Sequence, residues 1–252
     1  MTIENRVAEI LLKAGDDASP LRPTELYNEG WLLRLVLDWA AVHAKPPYPF
    51  VFLPGARWCS EALLHSQFLP RSRGDQLSES WTHADGVVGH FSIGGSGRGD
   101  LLLDREARQF IVVEAKLFSP LTAGTKNAPG FDQAARNVAC MAEVLRRAQR
   151  RPEAVSRLAF YLVAPQAQID AGMFGSLLSP ESLRAKVRER VRPYDGMKAD
   201  WYSEWFEPTL KVADVRSLAW EAVLPGESDY ATFYEKCLHF NRSIAAGGAS
   251  RG

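Results

Sequence analysis

The chain has 252 residues, 46% of them hydrophobic, and its 30 Lys+Arg balance 30 Asp+Glu. That is enough for a sizeable core, and the composition excludes low-complexity, collagen-like and disulfide-scaffold classes. Zero formal charge argues against a surface given over wholly to nucleic acid, while leaving room for a local basic face.

No apolar run approaches the about 20 residues that a membrane helix needs, so no membrane partner is expected. Met1 to Arg6 lacks a basic region followed by an apolar one and does not read as a signal peptide. Cys59, Cys140 and Cys237 are far apart and form no CxxC. An odd, scattered count reads as reduced thiols in a cytoplasmic protein.

In chain order, residues 3–14 carry Ile3, Val7, Ile10 and Leu11 at helical spacing. Pro23-Thr24-Glu25 starts a second helical stretch running to about His43, and Pro46, Pro47 and Pro49 follow it. Residues 60–69 read as a further helix with Ser60 as N-cap, and 70–84 as a polar loop. Strands are expected at 87–93, about 100–104 and 110–117, with Gly94 to Gly99 as a turn. Asp132 caps a long helix to about Arg150. Residues 158–164 are a near-continuous apolar strand, a pattern of burial on both faces. Further helices start at Pro180 and Asp229, with an aromatic segment at 200–206 and a last strand at 217–224. The long helix between the third strand and the apolar strand is a crossover, so the strands it joins should be parallel. The expected fold class is α/β: a central mixed β-sheet, built from a three-stranded meander, a crossover helix and a further strand, flanked by α-helices.

The chemistry concentrates in 99–116. Asp100 begins one apolar strand, and fourteen residues on Glu114-Ala115-Lys116 ends the next. Residues i and i+2 of a strand project to the same face, so Glu114 and Lys116 point together, and a hairpin would bring Asp100 beside them. Acids and a lysine on buried strands are costly unless paired, and a divalent cation is the simplest partner. Mg²⁺ prefers carboxylate oxygen and phosphate.

Helix, meander with Asp on the second strand and Glu-x-Lys on the third, crossover helix, strand: over residues 56–165 this pattern resembles the PD-(D/E)XK, or restriction-endonuclease-like, nuclease superfamily. The resemblance implies that Asp100 and Glu114 bind Mg²⁺ (or Mn²⁺), that the backbone carbonyl of Ala115 is a further metal ligand, and that Lys116 positions the nucleophilic water. It also implies a supporting glutamate from the preceding helix, for which Glu61 is preferred to Glu29. On the crossover helix Gln133, Arg136 and Asn137 share a face. Gln133 would support the site, and Arg136 and Asn137, with Arg98 of the glycine-rich turn, would meet the substrate. Asp85, just ahead of the first strand, is a candidate supplementary ligand. The expected partner is nucleic acid, DNA in the first instance, with a homodimer as a candidate assembly. A single domain over 1–244 with a disordered tail at 245–252 is expected.

Two readings compete. One is a metal-dependent nuclease hydrolysing phosphodiesters with Mg²⁺-activated water. The other is a catalytically inactive nuclease-like fold serving as a nucleic-acid or protein-binding module. Convergence of the Asp100 and Glu114 carboxylates discriminates between them. The basic helix Arg184, Lys186, Arg188, Arg190 and Arg192 could track phosphates, but its mixture with Glu181 and Glu189 also fits a solvated face.

Overall fold

The computed structural model describes residues 2–16, 19–94, 100–125 and 127–248, with side chains to Arg242. Three helices lead: α1 (Ile3–Leu12), α2 (Pro23–Leu26) and α3 (Glu29–His43). Five strands follow: β1 (Arg57–Leu64), β2 (Thr82–Gly89), β3 (Phe91–Ile93), β4 (Leu101–Leu103) and β5 (Gln109–Ala115). A small hairpin, β6 (Gly124–Thr125) with β7 (Ala128–Pro129), precedes α4 (Gln133–Arg147) and β8 (Arg157–Ala164). Then come α5 (Gln166–Asp170), α6 (Gly175–Leu178), α7 (Pro180–Val191), α8 (Ala199–Trp201) and α9 (Glu207–Val212). The chain closes with β9 (Asp214–Ala219), α10 (Trp220–Val223) and α11 (Ser228–Gly248).

The fold class is α/β, with a mixed five-stranded sheet in the order β1-β2-β5-β8-β9 and helices on both faces. β1, β2 and β5 pair antiparallel, and β8 joins β5 parallel through the α4 crossover. Every residue of β5 is buried, and all of β8 but Arg157. That is why both read as unbroken apolar runs rather than alternating ones.

One face packs on α4. Asp132 caps that helix, its carboxylate accepting the Ala135 N–H at 2.9 Å, and Ala134, Ala135, Ala139 and Ala142 keep its buried side thin. The other face packs on α3, capped by Asn28. Leu33 and Leu37 of α3 lie directly over Gly86, where a Cβ would come within 2.9 Å of Leu33 Cδ2. The helix is thus seated on the strand immediately beside Asp85.

The structure corrects the expected helix at 60–69: its first half, through Leu64, is strand β1, paired with β2 from Arg57↔Gly89 to Leu64↔Thr82. The expected loop at 70–84 ends early, because β2 starts at Thr82. The meander is therefore β1-β2-β5. The segment at 101–103 is not its middle strand but half of a separate β3-β4 hairpin inserted between β2 and β5. At the other end α11 continues to Gly248, through part of the expected tail. Among the described residues no helix is long and apolar enough to cross a membrane.

Candidate active site

β2 and β5 run as a ladder from Gly89↔Phe110 to Gly86↔Val113 and then part. β2 stays with β1, and β5 stays with β8. Asp85 and Glu114 are the residues immediately past the last pair, one on each strand. At this point β1 contributes Glu61 with a left-handed φ of 53°, a conformation that costs a side-chain-bearing residue about 1 kcal/mol or more. The ladder between β1 and β2 skips the Glu61–Asp85 pair. The distortion releases Asp85 from regular pairing, and its Oδ2 accepts the Ala115 N–H at 2.7 Å. Within a strand, the N–H and C=O of one residue point to the same side. The Ala115 carbonyl therefore faces the same gap between β2 and β5.

Glu114 is fully buried on the α4 face. Three donors converge on it: Lys116 Nζ at 2.6 Å and Gln133 Nε2 at 2.5 Å on Oε1, and Asn137 Nδ2 at 3.1 Å on Oε2. These favour the ionised carboxylate. Burial, and then the charge of Asp85 beside it, work against them and push the Glu114 pKa up to about 8. Two carboxylates thus lie side by side with one ammonium, held on Glu114, to offset them. Lys116 is itself buried, its carbonyl accepting the Trp220 indole N–H at 2.8 Å. The site reaches solvent through Asp85 and Gln133, both half-buried.

The residue types fit a hard divalent cation. Asp85, Glu114 and the Ala115 carbonyl supply oxygen only, and two acids held short of positive charge are what such an ion neutralises. Among the described residues no group of three or more His, Cys, Asp or Glu side chains is arranged to hold a metal. Two carboxylates with a carbonyl leave positions for water and phosphate, as Mg²⁺ sites commonly do.

The structure brings Glu114, Ala115, Lys116, Gln133 and Asn137 together. It does not bring Asp100 to them. Asp100 bridges to Leu63 on the outer side of edge strand β1, three strand spacings from β5, or about 14 Å along the sheet. Its Oδ2 instead meets His65 Nε2 at 3.2 Å. The expected Asp100–Glu114 convergence is therefore overturned, and the aspartate beside Glu114 is Asp85. Glu61 is not on a helix and does not join the cluster: its half-exposed carboxylate faces Arg34 of α3 at 3.6 Å. Glu29 lies near the Cys237 thiol, whose pKa it helps raise. Arg136 is no phosphate contact. It is turned inward onto the fully buried Glu79 at 3.4 Å and onto Thr82 Oγ1 at 3.3 Å. Arg98, with the rest of 95–99, lies outside the described residues.

Trp220 was invisible in the sequence, since 104 positions separate it from the carbonyl it binds. Asp85 did carry a signal, an acid directly before an apolar strand run. Compared with protein families, curated proteins and solved structures, the chain has no significant match.

Proposed function

We propose that this protein is a metal-dependent nuclease with a restriction-endonuclease-like core, in which Asp85 takes the role that the sequence pattern had assigned to Asp100. The observation that carries the reading is the Asp85 carboxylate on the Ala115 N–H, at the opening of the ladder and beside Glu114-Ala115-Lys116. Asp85, Glu114 and the Ala115 carbonyl would hold Mg²⁺ or Mn²⁺. The ion supplies charge neutralisation at a phosphodiester and a lowered pKa for bound water.

The rest is the work of the chain. Gln133 and Asn137 donate to both oxygens of Glu114 and fix its orientation. Lys116 holds an ammonium 2.6 Å from Glu114, where it would serve to position the attacking water and to neutralise charge on the phosphate oxygens. Trp220 anchors the Lys116 backbone so that the ammonium is delivered from a fixed origin. The substrate is a phosphodiester of nucleic acid, DNA in the first instance.

The test is Mg²⁺- or Mn²⁺-dependent cleavage of a panel of DNA and RNA by wild type, Asp85→Ala and Lys116→Ala. Cleavage by wild type alone is expected. Equal cleavage by all three proteins, or none by wild type, overturns the reading.

A further inference from the structure

Two residues before Gln133, Phe131 forms part of the wall of a separate cavity of about 470 Å³. It lies between the β6-β7 hairpin and α7, and its wall includes Gly130, Lys186, Glu189, Arg190 and Arg192. Lys186 is bound to Asp132 at 2.5 Å, and Arg192 to Glu189 at 3.0 Å. Arg190 differs from both. It is only 5% exposed, yet among the described residues no carboxylate forms an ion pair with it. One terminal nitrogen reaches the Leu77 carbonyl at 2.5 Å and the Tyr194 hydroxyl at 3.4 Å. Among the described residues its Nε is buried without a hydrogen-bond partner. The guanidinium lies over the rings of Phe68 at 4.3 Å, Tyr194 at 5.4 Å and Phe131 at 5.8 Å. Asp75, which also acts on Tyr194, is held by Arg71 at 2.9 Å.

A buried cation without a counter-ion is expensive, and aromatic faces recover only part of its lost hydration. An arginine fork with uncommitted donors matches a tetrahedral oxyanion. Three cations against Glu189 and Asp132 leave the cavity net positive. We infer that this cavity, with Arg190 and Lys186 in its wall, binds a phosphate group of the nucleic-acid backbone flanking the scissile bond. The inference rests on the nuclease reading for its substrate. The cavity wall at Phe131 is two residues along the chain from Gln133, which contacts Glu114.

The experiment separates the two ideas by measuring binding without cleavage. A short fluorescent single-stranded DNA is titrated in EDTA against wild type, Ala185→Glu and Lys186→Gln, with inorganic phosphate as a second ligand. Ala185 is an exposed residue of the cavity wall, so a carboxylate there repels an anion without touching the core. Thermal midpoints close to wild type confirm that each variant is folded. Both cavity variants should bind the DNA about tenfold more weakly, the scale of one charge-assisted hydrogen bond. The slope of log affinity against log salt should fall by about 0.7 in Lys186→Gln. Unchanged DNA binding in both cavity variants overturns the inference and leaves the nuclease reading standing. Binding of phosphate without binding of DNA overturns the backbone assignment in favour of a free phosphate. Cavity-dependent DNA binding by a protein that cleaves nothing with Mg²⁺ supports the cavity and sinks the nuclease.

Discussion

Asp85 accepts the Ala115 N–H at 2.7 Å from the neighbouring strand, where a backbone carbonyl would stand had the ladder continued. This one substitution of side chain for main chain aims an acid at the Glu114-Ala115-Lys116 edge. It separates two aspartates that look alike in sequence. Asp85→Asn is expected to lower Mg²⁺-dependent cleavage by on the order of 10²- to 10³-fold, the scale of losing one electrostatic group in a preorganised site. Asp100→Asn, on the far side of β1, is expected to leave it within a few-fold. Initial rates for the two variants side by side decide the matter, and a larger loss in Asp100→Asn would return the metal to the β4 side.

That contrast also shows what the sequence could and could not reveal. The apolar runs of β5 and β8, the Asp132 cap and the crossover are local signals, and they gave the sheet and Glu114-Ala115-Lys116 directly. Ser60-Glu61-Ala62-Leu63-Leu64 is good helix material by propensity. Pairing with β2 overrides it, and β-sheet pairing is not local. Read without that strand, the meander shifts by one, and its second strand, with its aspartate, falls at 100 instead of 85. Arg136 is misread for a related physical reason: a helical face is local, but the Glu79 beneath it is 57 residues away.

The buried pair predicts that Arg136 is structural. Glu79 is fully buried against it, with Ser66 Oγ donating to the same carboxylate at 2.6 Å. Glu79→Ala strands the guanidinium without its counter-charge and should cost about 3–5 kcal/mol, measured by denaturant unfolding. Replacing both by Met and Leu should recover much of that loss. A double variant as unstable as the single would show that the pair is more than mutually compensating.

Gln133 and Asn137 hold Glu114 rather than substrate. Truncating either to Ala should weaken Mg²⁺ or Mn²⁺ binding by about 10- to 100-fold through loss of orientation. Asn137→Ala should also cost about 1–3 kcal/mol of stability, because its partner oxygen is buried. Calorimetric titration with Mn²⁺ beside a thermal melt reads both. Unchanged metal affinity in both variants would remove the α4 contacts from the site.

Glu61 tests the distortion in β1. At φ 53°, glycine relieves the side-chain penalty, whereas the half-exposed ion pair with Arg34 is worth less than about 1 kcal/mol. Glu61→Gly is expected to match or slightly exceed wild type in stability and to retain cleavage. A variant that melts normally but no longer cleaves would make Glu61 a ligand after all.

Glu114 makes stability depend on pH in a way that reports on the metal. Its carboxyl has a higher pKa folded, about 8, than its ordinary 4.5, because burial and Asp85 disfavour the charge. Between those values the folded state binds more protons than the unfolded state, so stability falls as pH rises. The protonated group's contribution is fully present below 4.5 and is lost as pH passes the folded value. In EDTA, unfolding free energy should therefore decline between about pH 5 and 8, by up to the limit of one proton, about 1.4 kcal/mol per pH unit. Glu114→Gln removes the ionisation and should flatten the decline. Excess Mg²⁺ should flatten it in wild type as well, since a cation stabilises the ionised pair at the pH where the apo site is worst off. Asp85→Asn lowers the Glu114 pKa by removing the neighbouring charge, so its decline should be shallower in EDTA and nearly indifferent to Mg²⁺. A wild-type slope untouched by Mg²⁺ would mean that the two carboxylates are balanced by Lys116 alone and hold no ion.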